Sequence, residues 1–363
     1  MTKDNILIAT GGTGGHVFPA YSLANYLINK NFNVKLTTDK RGLKYLRNYE
    51  NLNLIEIPSS PLIKKSSFKL IISIFIIIYS IFRSFLFLLF NRPLIIFGMG
   101  GYSSFPICIA ASILRIKFVI YENNLIVGKA NKYLLPFANK IFVSYKQLEG
   151  IPKKYEKKIN VIGNILREEI INANITSQRS ELDCINILVL GGSQAAKIFA
   201  DQLPQIFEKL KKDKIKFKLY QQCQNKQNNK LVEFYRKTKI NHEIFNFTDK
   251  IYNYYSLADL VITRSGASVL GELINFNVPF ISIPLPTSAE NHQYKNAEFY
   301  FNKGYGYLVE EKDIKKKLYN LIKKLFYDKS LINNILFNQR KYSDKNTFTN
   351  LQFELEKILN EKN

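Results

Sequence analysis

The stretch IATGGTGGHVFPA, residues 8–20, decides how the chain is read. An apolar run, NILIAT (5–10), reads as a buried strand and ends on Gly11, Gly12, Gly14 and Gly15. A helical pattern follows, from about Phe18 to Lys30. Glycines at such a junction let the backbone turn tightly and approach a ligand closely. A helix that starts there directs its first N–H groups at that ligand and favours an anion. Two familiar phosphate loops are excluded. No Lys-Ser or Lys-Thr follows the glycines, as a P-loop needs. Gly12-Thr13-Gly14 continues into Gly15-His16-Val17, without the third glycine of a dinucleotide fingerprint. His16 stands at the start of the helix, where the dipole lowers an imidazole's pKa and keeps it able to accept a proton. It therefore reads as a general base or, more plainly, as a histidine capping the helix.

The same grammar extends along the chain. Strand patterns recur at NVKLTT (33–38), LIIF (94–97), KFVIY (117–121) and KIFVS (140–144), with helical stretches near 104–114 and 128–138. It restarts at INILVL (185–190) and continues through KFKLY (216–220), DLVIT (259–263) and PFISI (279–283). Strand–loop–helix alternation predicts doubly wound parallel sheets, in an α/β chain of two Rossmann-like domains facing a cleft. Ligands of such folds bind at the carboxyl ends of the strands. The expected division is 1–162 and 163–342. The last helix fits either domain by pattern, and residues 343–363 are expected to pack back on the first.

Three more glycine-rich turns sit at strand ends: GMGGYSS (98–104), GGSQAAK (191–197) and TRSGAS (263–268). Arg264, beside a helix start, reads as half of a diphosphate clamp. Glu272, six residues past Gly266, reads as a ribose-hydroxyl acceptor or as an ordinary solvated helix residue. Together these loops suit an enzyme that holds a nucleotide diphosphate.

Composition narrows the setting. The chain has 363 residues, formal charge +23, and 46% hydrophobic residues, a globular composition. The positive field suits phosphorylated substrates, anionic membranes or nucleic acid, although many lysines fit plain solvated faces. A nucleic-acid surface would interleave aromatic and basic residues on one strand face, which the pattern lacks, so no nucleic acid is expected. Three scattered cysteines, Cys108, Cys184 and Cys223, argue against disulfides or a zinc site and fit a reducing compartment. No signal-peptide pattern opens the sequence, and no metal or other cofactor is expected.

Residues 70–90, LIISIFIIIYSIFRSFLFLLF, are long and apolar enough to span a bilayer. Strand patterns before and after them must share one sheet, however, which a single crossing would forbid. The stretch reads instead as one or two helices with a broad apolar surface, or as a core helix. Ser73, Ser80 and Ser84 make a narrow small-residue stripe. Ile74, Phe75, Ile78, Phe82 and Phe85 would enter the membrane, with Lys64, Lys65, Lys69 and Arg92 near anionic headgroups.

TGGTGGHVFPA, GMGGYSS, YENN, GGSQAA, TRSGAS with Glu272, and ENHQYKNA occur in the order and spacing of one family. Over nearly its whole length the chain resembles the MurG family of peptidoglycan N-acetylglucosaminyltransferases. The resemblance implies the GT-B fold and inverting, metal-independent transfer of GlcNAc from UDP-GlcNAc. The acceptor would be the MurNAc 4-hydroxyl of undecaprenyl-diphospho-MurNAc-pentapeptide, converting lipid I to lipid II. It implies work at the cytoplasmic face of the bacterial cell membrane, as a peripheral protein. It also implies a donor site of Thr13, Gly14, Gly15, Asn124, Arg167, Ser193, Thr248, Arg264, Ser265, Gly266, Ala267, Glu272, His292 and Gln293, with His16 as the base. Gly11, Gly12, Gly98, Gly100, Gly101 and Tyr102 would face the lipid diphosphate. The chain departs from the pattern at Tyr121 and Asn123, where His and Gln are usual, at Ala195 for Gly, and at Ile165 for Pro. Another GT-B transferase with a lipid acceptor, a UDP-GlcNAc 2-epimerase, and a non-catalytic nucleotide-sugar-binding protein are the competing readings.

Overall fold

The computed structural model describes residues 5–360 apart from 48, 50, 62–66, 174–183 and 193–196. The chain divides into two compact units. The first comprises Met1–Arg167 with Asp344–Asn363, the second Glu168–Ser343.

The first unit carries β1 (Asn5–Ala9), β2 (Asn33–Thr38), β3 (Asn53–Glu56), β4 (Ile95–Gly98), β5 (Phe118–Glu122), β6 (Lys140–Val143) and β7 (Ile159–Val161). They form one parallel sheet in the order β3-β2-β1-β4-β5-β6-β7. Its helices are α1 (Gly14–Asn29), α2 (Lys40–Leu46), α3 (Ser67–Phe90), α4 (Ser104–Ile113) and α5 (Lys129–Leu134). Alternation along β1 sends Ile6 and Ile8 to one face and Leu7 and Ala9 to the other. The first face packs on Val17, Ala20 and Leu23 of α1, and the second on Ile107, Cys108 and Ala111 of α4. A parallel sheet covered on both faces needs apolar residues at successive positions, which is why NILIA reads as an unbroken run.

The second unit opens with α6 (Glu168–Ile171) and carries β8 (Ile185–Leu190), β9 (Phe217–Gln222), β10 (Asn241–Phe245), β11 (Leu260–Thr263), β12 (Phe280–Ser282) and β13 (Tyr307–Leu308). Their parallel order is β10-β9-β8-β11-β12-β13. Helices α7 (Lys197–Lys212), α8 (Asn228–Lys237), α9 (Ile251–Leu257), α10 (Ala267–Asn275), α11 (His292–Asn302), α12 (Tyr319–Tyr327) and α13 (Lys329–Arg340) surround it. A last helix, α14 (Thr347–Asn360), buries Leu351, Leu355 and Ile358 in the first unit's core. Asp344 anchors its approach by accepting the Asn164 backbone N–H at 2.9 Å and the Asn164 side-chain amide at 2.9 Å.

Residues 67–90 are one helix. The serine stripe is its inner seam: Ser73, Ser80 and Ser84 are buried, each hydroxyl bonded to the carbonyl four residues back. Small side chains there let α3 lie close along α4. Ile74, Phe75, Ile78 and Phe82 are exposed, and Phe75 and Phe90 are 68% and 85% open to solvent. Phe85 departs from the membrane-facing expectation, because it is half-buried against the core under α4. Lys64 and Lys65 lie outside the described residues. β1 and β2 precede α3, β4 and β5 follow it, and all four belong to one sheet. α3 therefore lies along the unit rather than carrying the chain across a bilayer.

Candidate active site

In each sheet the chain reverses its winding once, between β1 and β4 in the first unit and between β8 and β11 in the second. The glycine-rich turns leave the carboxyl ends of those four strands, at the switch points where doubly wound sheets bind ligands.

In the first unit α1 begins at Gly14, four residues earlier than the sequence pattern suggests, with an exposed Thr13 as its N-cap. His16 is therefore inside the first turn and is not the capping residue. Gly100 and Gly101, at φ +82° and +75°, form the floor beneath its ring. A Cβ at Gly100 would stand 3.1 Å from both Cε1 and Nδ1 of His16, and one at Gly101 would stand 3.4 Å from Cδ2. Only glycine supplies both the left-handed turn and the clearance for the imidazole. Gly100→Ala should accordingly displace the His16 ring and, under the base role proposed below, lower kcat about tenfold. Steady-state kinetics beside a thermal melt checks this, since lost stability at unchanged kcat would mean the ring has no chemical part.

Pro19 sits inside α1 and has no N–H to offer the Gly15 carbonyl one turn back. The Asn123 side chain supplies that donor, at 3.3 Å. The loop after β5 is thus tied to the loop after β1. The buried Glu122 carboxylate organises the rest, accepting from the Asn124 backbone (3.1 Å) and side chain (2.8 Å), Gly128 N–H (2.9 Å) and the Asn131 amide (3.0 Å). Arg167 is buried, with its guanidinium 5.2 Å from the centre of the Phe18 ring.

Three glycines expected to cradle a diphosphate have other tasks. A Cβ at Gly98 would come within 2.8 Å of the Cys108 sulfur, so this position lets α4 pack on β4. Gly11 lies under Ser103 and Asp39, where a Cβ would collide with the Ser103 hydroxyl. Gly12 donates its N–H to Asp39 Oδ1 at 3.0 Å. Asp39 also accepts from Gly42 N–H (2.9 Å), Arg41 Nε (2.8 Å) and the Ser59 hydroxyl (3.0 Å). Burial alone would raise its pKa, but the N–H groups of Gly12, Gly42 and Arg41 outweigh that and hold it below the usual carboxylate value. A protein carboxylate thus occupies the Gly12 amide, where the sequence placed a ligand's phosphate. Sequence reading missed Asp39 and Arg41, in TDKRG, because that stretch has no glycine-rich turn to draw attention. Tyr102 is half-buried.

Tyr121 and Ile165, two departures from the family pattern, meet in space. The Tyr121 hydroxyl accepts the Ile165 backbone N–H at 3.0 Å, a bond that proline could not donate. The hydroxyl also lies 2.9 Å from Ser144 Oγ, and its pKa is pushed well up, chiefly by burial. The segment at Ile165, where the family pattern has proline, is held by that hydrogen bond.

In the second unit Gly266 caps α10, a nine-residue helix with no acidic residue in its first turn. Its neighbour Ser265 is fully buried. Its backbone carbonyl accepts from the Asn296 amide at 3.1 Å, and its hydroxyl has no hydrogen-bond partner among the described residues. Ala267 opens the helix, and Glu272 lies on it, buried rather than solvated, accepting a bond from the Tyr255 hydroxyl at 2.8 Å. Arg264 departs from the diphosphate-clamp reading. Its Nη1 donates to the carbonyls of Ile283 (3.2 Å) and Pro284 (3.3 Å), Nη2 pairs with Glu311, and the guanidinium lies 4.9 Å from the Phe199 ring centre. Those bonds tie the ends of β11 and β12 together from inside. Gln293 accepts the Leu285 N–H at 2.9 Å, which leaves its amide nitrogen as the end able to donate to a ligand. His292 engages the Ala289 carbonyl through Nδ1 at 2.7 Å. Thr248 caps the turn into α9 by accepting the Lys250 N–H at 3.1 Å. Ser193 lies outside the described residues.

Two doubly wound parallel sheets with glycine-rich turns at both switch points define an enzyme of the GT-B fold class. Two models match: the glycosyltransferase family 28 N-terminal domain over residues 6–143 and the C-terminal domain over 186–351. A protein of Pelagibacter ubique (strain HTCC1062) is 36% identical over 98% of this chain and 99% of its own length. It is named UDP-N-acetylglucosamine--N-acetylmuramyl-(pentapeptide) pyrophosphoryl-undecaprenol N-acetylglucosamine transferase. The chain belongs to this MurG family of N-acetylglucosamine transferases. A crystal structure of Acinetobacter baumannii MurG superposes with a TM-score of 0.75 at 23% identity, covering 98% of this chain and 99% of that one. A putative UDP-N-acetylglucosamine 2-epimerase from Listeria monocytogenes shares the fold, with a TM-score of 0.67 at 14% identity, covering 100% of this chain and 98% of its own. The architecture is therefore common to both activities, and the sequence relationship separates them.

Proposed function

We propose that this enzyme transfers GlcNAc from UDP-GlcNAc to the 4-hydroxyl of the MurNAc residue of undecaprenyl-diphospho-MurNAc-pentapeptide. The reading is carried by His16, an imidazole held over Gly100 and Gly101 at the first unit's switch point. It is supported by the activity for which the Pelagibacter relative is named. His16 takes the proton of the acceptor hydroxyl as that oxygen attacks the anomeric carbon of the donor. The bond from that carbon to the diphosphate oxygen breaks, UDP leaves with the electron pair, and the single displacement inverts the centre. The N-terminus of α10 meets the charge on the departing diphosphate, while Glu272 receives the ribose hydroxyls and Gln293 the GlcNAc hydroxyls. No step requires a metal.

The exposed face of α3 (Phe68, Ile71, Phe75, Ile78, Phe82) rests on the cytoplasmic face of the membrane. Lipid I would be met there, and an apolar surface of that extent suits an interfacial helix.

The test is transfer of radiolabelled GlcNAc from UDP-GlcNAc to a lipid I analogue, in detergent with EDTA. Labelled lipid product is expected. Binding of UDP-GlcNAc without product would redirect the reading to another lipid acceptor or to epimerisation. Glu272→Ala should weaken UDP-GlcNAc binding by roughly 10-fold or more, as loss of a charge-assisted contact does. Unchanged affinity by titration calorimetry would remove the ribose contact.

A further inference from the structure

The Gly12 amide is bound to Asp39, so it is not available to a diphosphate arriving at the β1–α1 turn. Arg41 reaches this place. Its Nη2 would lie 3.7 Å from a Cβ on Gly12, and its side chain is 50% exposed. Asp39 holds the Nε–Nη2 edge of the guanidinium, with Nε at 2.8 Å and Nη2 at 2.7 Å from Oδ2, which leaves both Nη1 hydrogens and the second Nη2 hydrogen for a ligand. Three of the five guanidinium N–H groups have no partner among the described residues.

Asp39 itself is 3% exposed, and four groups donate to its two oxygens: the Gly12 and Gly42 N–H groups, Arg41 and the Ser59 hydroxyl. Its charge is therefore spent inside the protein, while what faces outward is the fork of an arginine whose orientation is fixed. Fixed planar donors of this kind suit the paired oxygens of a diphosphate. Across the same turn α1 begins with no acidic residue in its first turn and no side chain capping it.

We infer that Arg41, aimed by the buried Asp39, is a substrate-binding residue that receives the diphosphate of the lipid acceptor. This rests on the lipid-diphosphate reading of the acceptor. It adds a charged contact on the α2 side of the glycine turn, where the sequence reading placed the glycines and Tyr102 but no cation.

Acceptor and donor kinetics of Arg41→Ala, Arg41→Gln and Arg41→Lys test it. The Ala and Gln variants should raise KM for a lipid I analogue roughly 10- to 100-fold, the worth of one or two charge-assisted bonds, and Lys should recover part of the loss. Their kcat and KM for UDP-GlcNAc should stay within about twofold of the parent. An unchanged acceptor KM, or donor and acceptor KM rising together with a lower Tm, would overturn the inference. A second readout does not depend on turnover: inorganic pyrophosphate titrated into the protein with the donor site filled by saturating UDP. Weaker binding to Arg41→Gln than to the parent supports Arg41 even if lipid I proves to be the wrong acceptor. Equal binding overturns Arg41 and leaves the transfer reaction itself untouched.

Discussion

His16→Ala should lower kcat by roughly 10²- to 10⁴-fold, the range general-base catalysis contributes, while UDP-GlcNAc binds nearly as before. The expectation follows from where the ring sits. The helix starts at Thr13 and Gly14, so the imidazole does not cap it, and removing the ring leaves no helix terminus unsatisfied. The ring packs against the Gly100–Gly101 turn, away from the helix terminus. A mainly structural histidine would lower Tm and leave kcat alone. Single-turnover rates at saturating donor and acceptor, with a melt on the same sample, separate the two outcomes, and an unchanged rate would end the base assignment.

The second large effect concerns α3. Replacing Phe75, Ile78 and Phe82 together by Glu should reduce partition onto vesicles containing anionic lipid by about 10³-fold or more. Each fully buried side chain of this size is worth about 1.5–3 kcal/mol, and the new charges are repelled by the headgroups. All three residues are exposed, so Tm should move little. Transfer to a short-chain, water-soluble acceptor should survive while transfer to acceptor embedded in vesicles falls. Sedimentation with vesicles is the measurement, and undiminished binding would mean that another surface meets the membrane.

The central strands were legible and the edges were not. β1, β2, β4, β5 and β6 of the first sheet, and β8, β9, β11 and β12 of the second, each announce themselves as apolar runs. The four strands that the pattern missed, β3, β7, β10 and β13, are the outer strands of the two sheets. Their residues are only half-buried or exposed, as in NLIE and NHEIF, so polar positions interrupt the run. An edge strand needs burial on fewer sides, and its composition relaxes accordingly.

The same division holds within the site. The order of strands, the glycine turns and the histidine beside them are local features, and local spacing was enough to find them. Which partner each group takes is a matter of residues far apart in the chain. Asp39 claims the Gly12 amide across 27 residues, Asn123 serves the carbonyl that Pro19 leaves open, and Arg264 turns inward to Ile283, Pro284 and Glu311. Tyr121 and Ile165, each a separate oddity in the sequence, become one hydrogen bond. Sequence alone determined the fold class, the family and the chemical character of the loops, because hydrophobic period and glycine placement are properties of short segments. Only the tertiary structure decided which amides and cations remain for a ligand. A buried donor or acceptor must find its partner wherever the folded chain brings one.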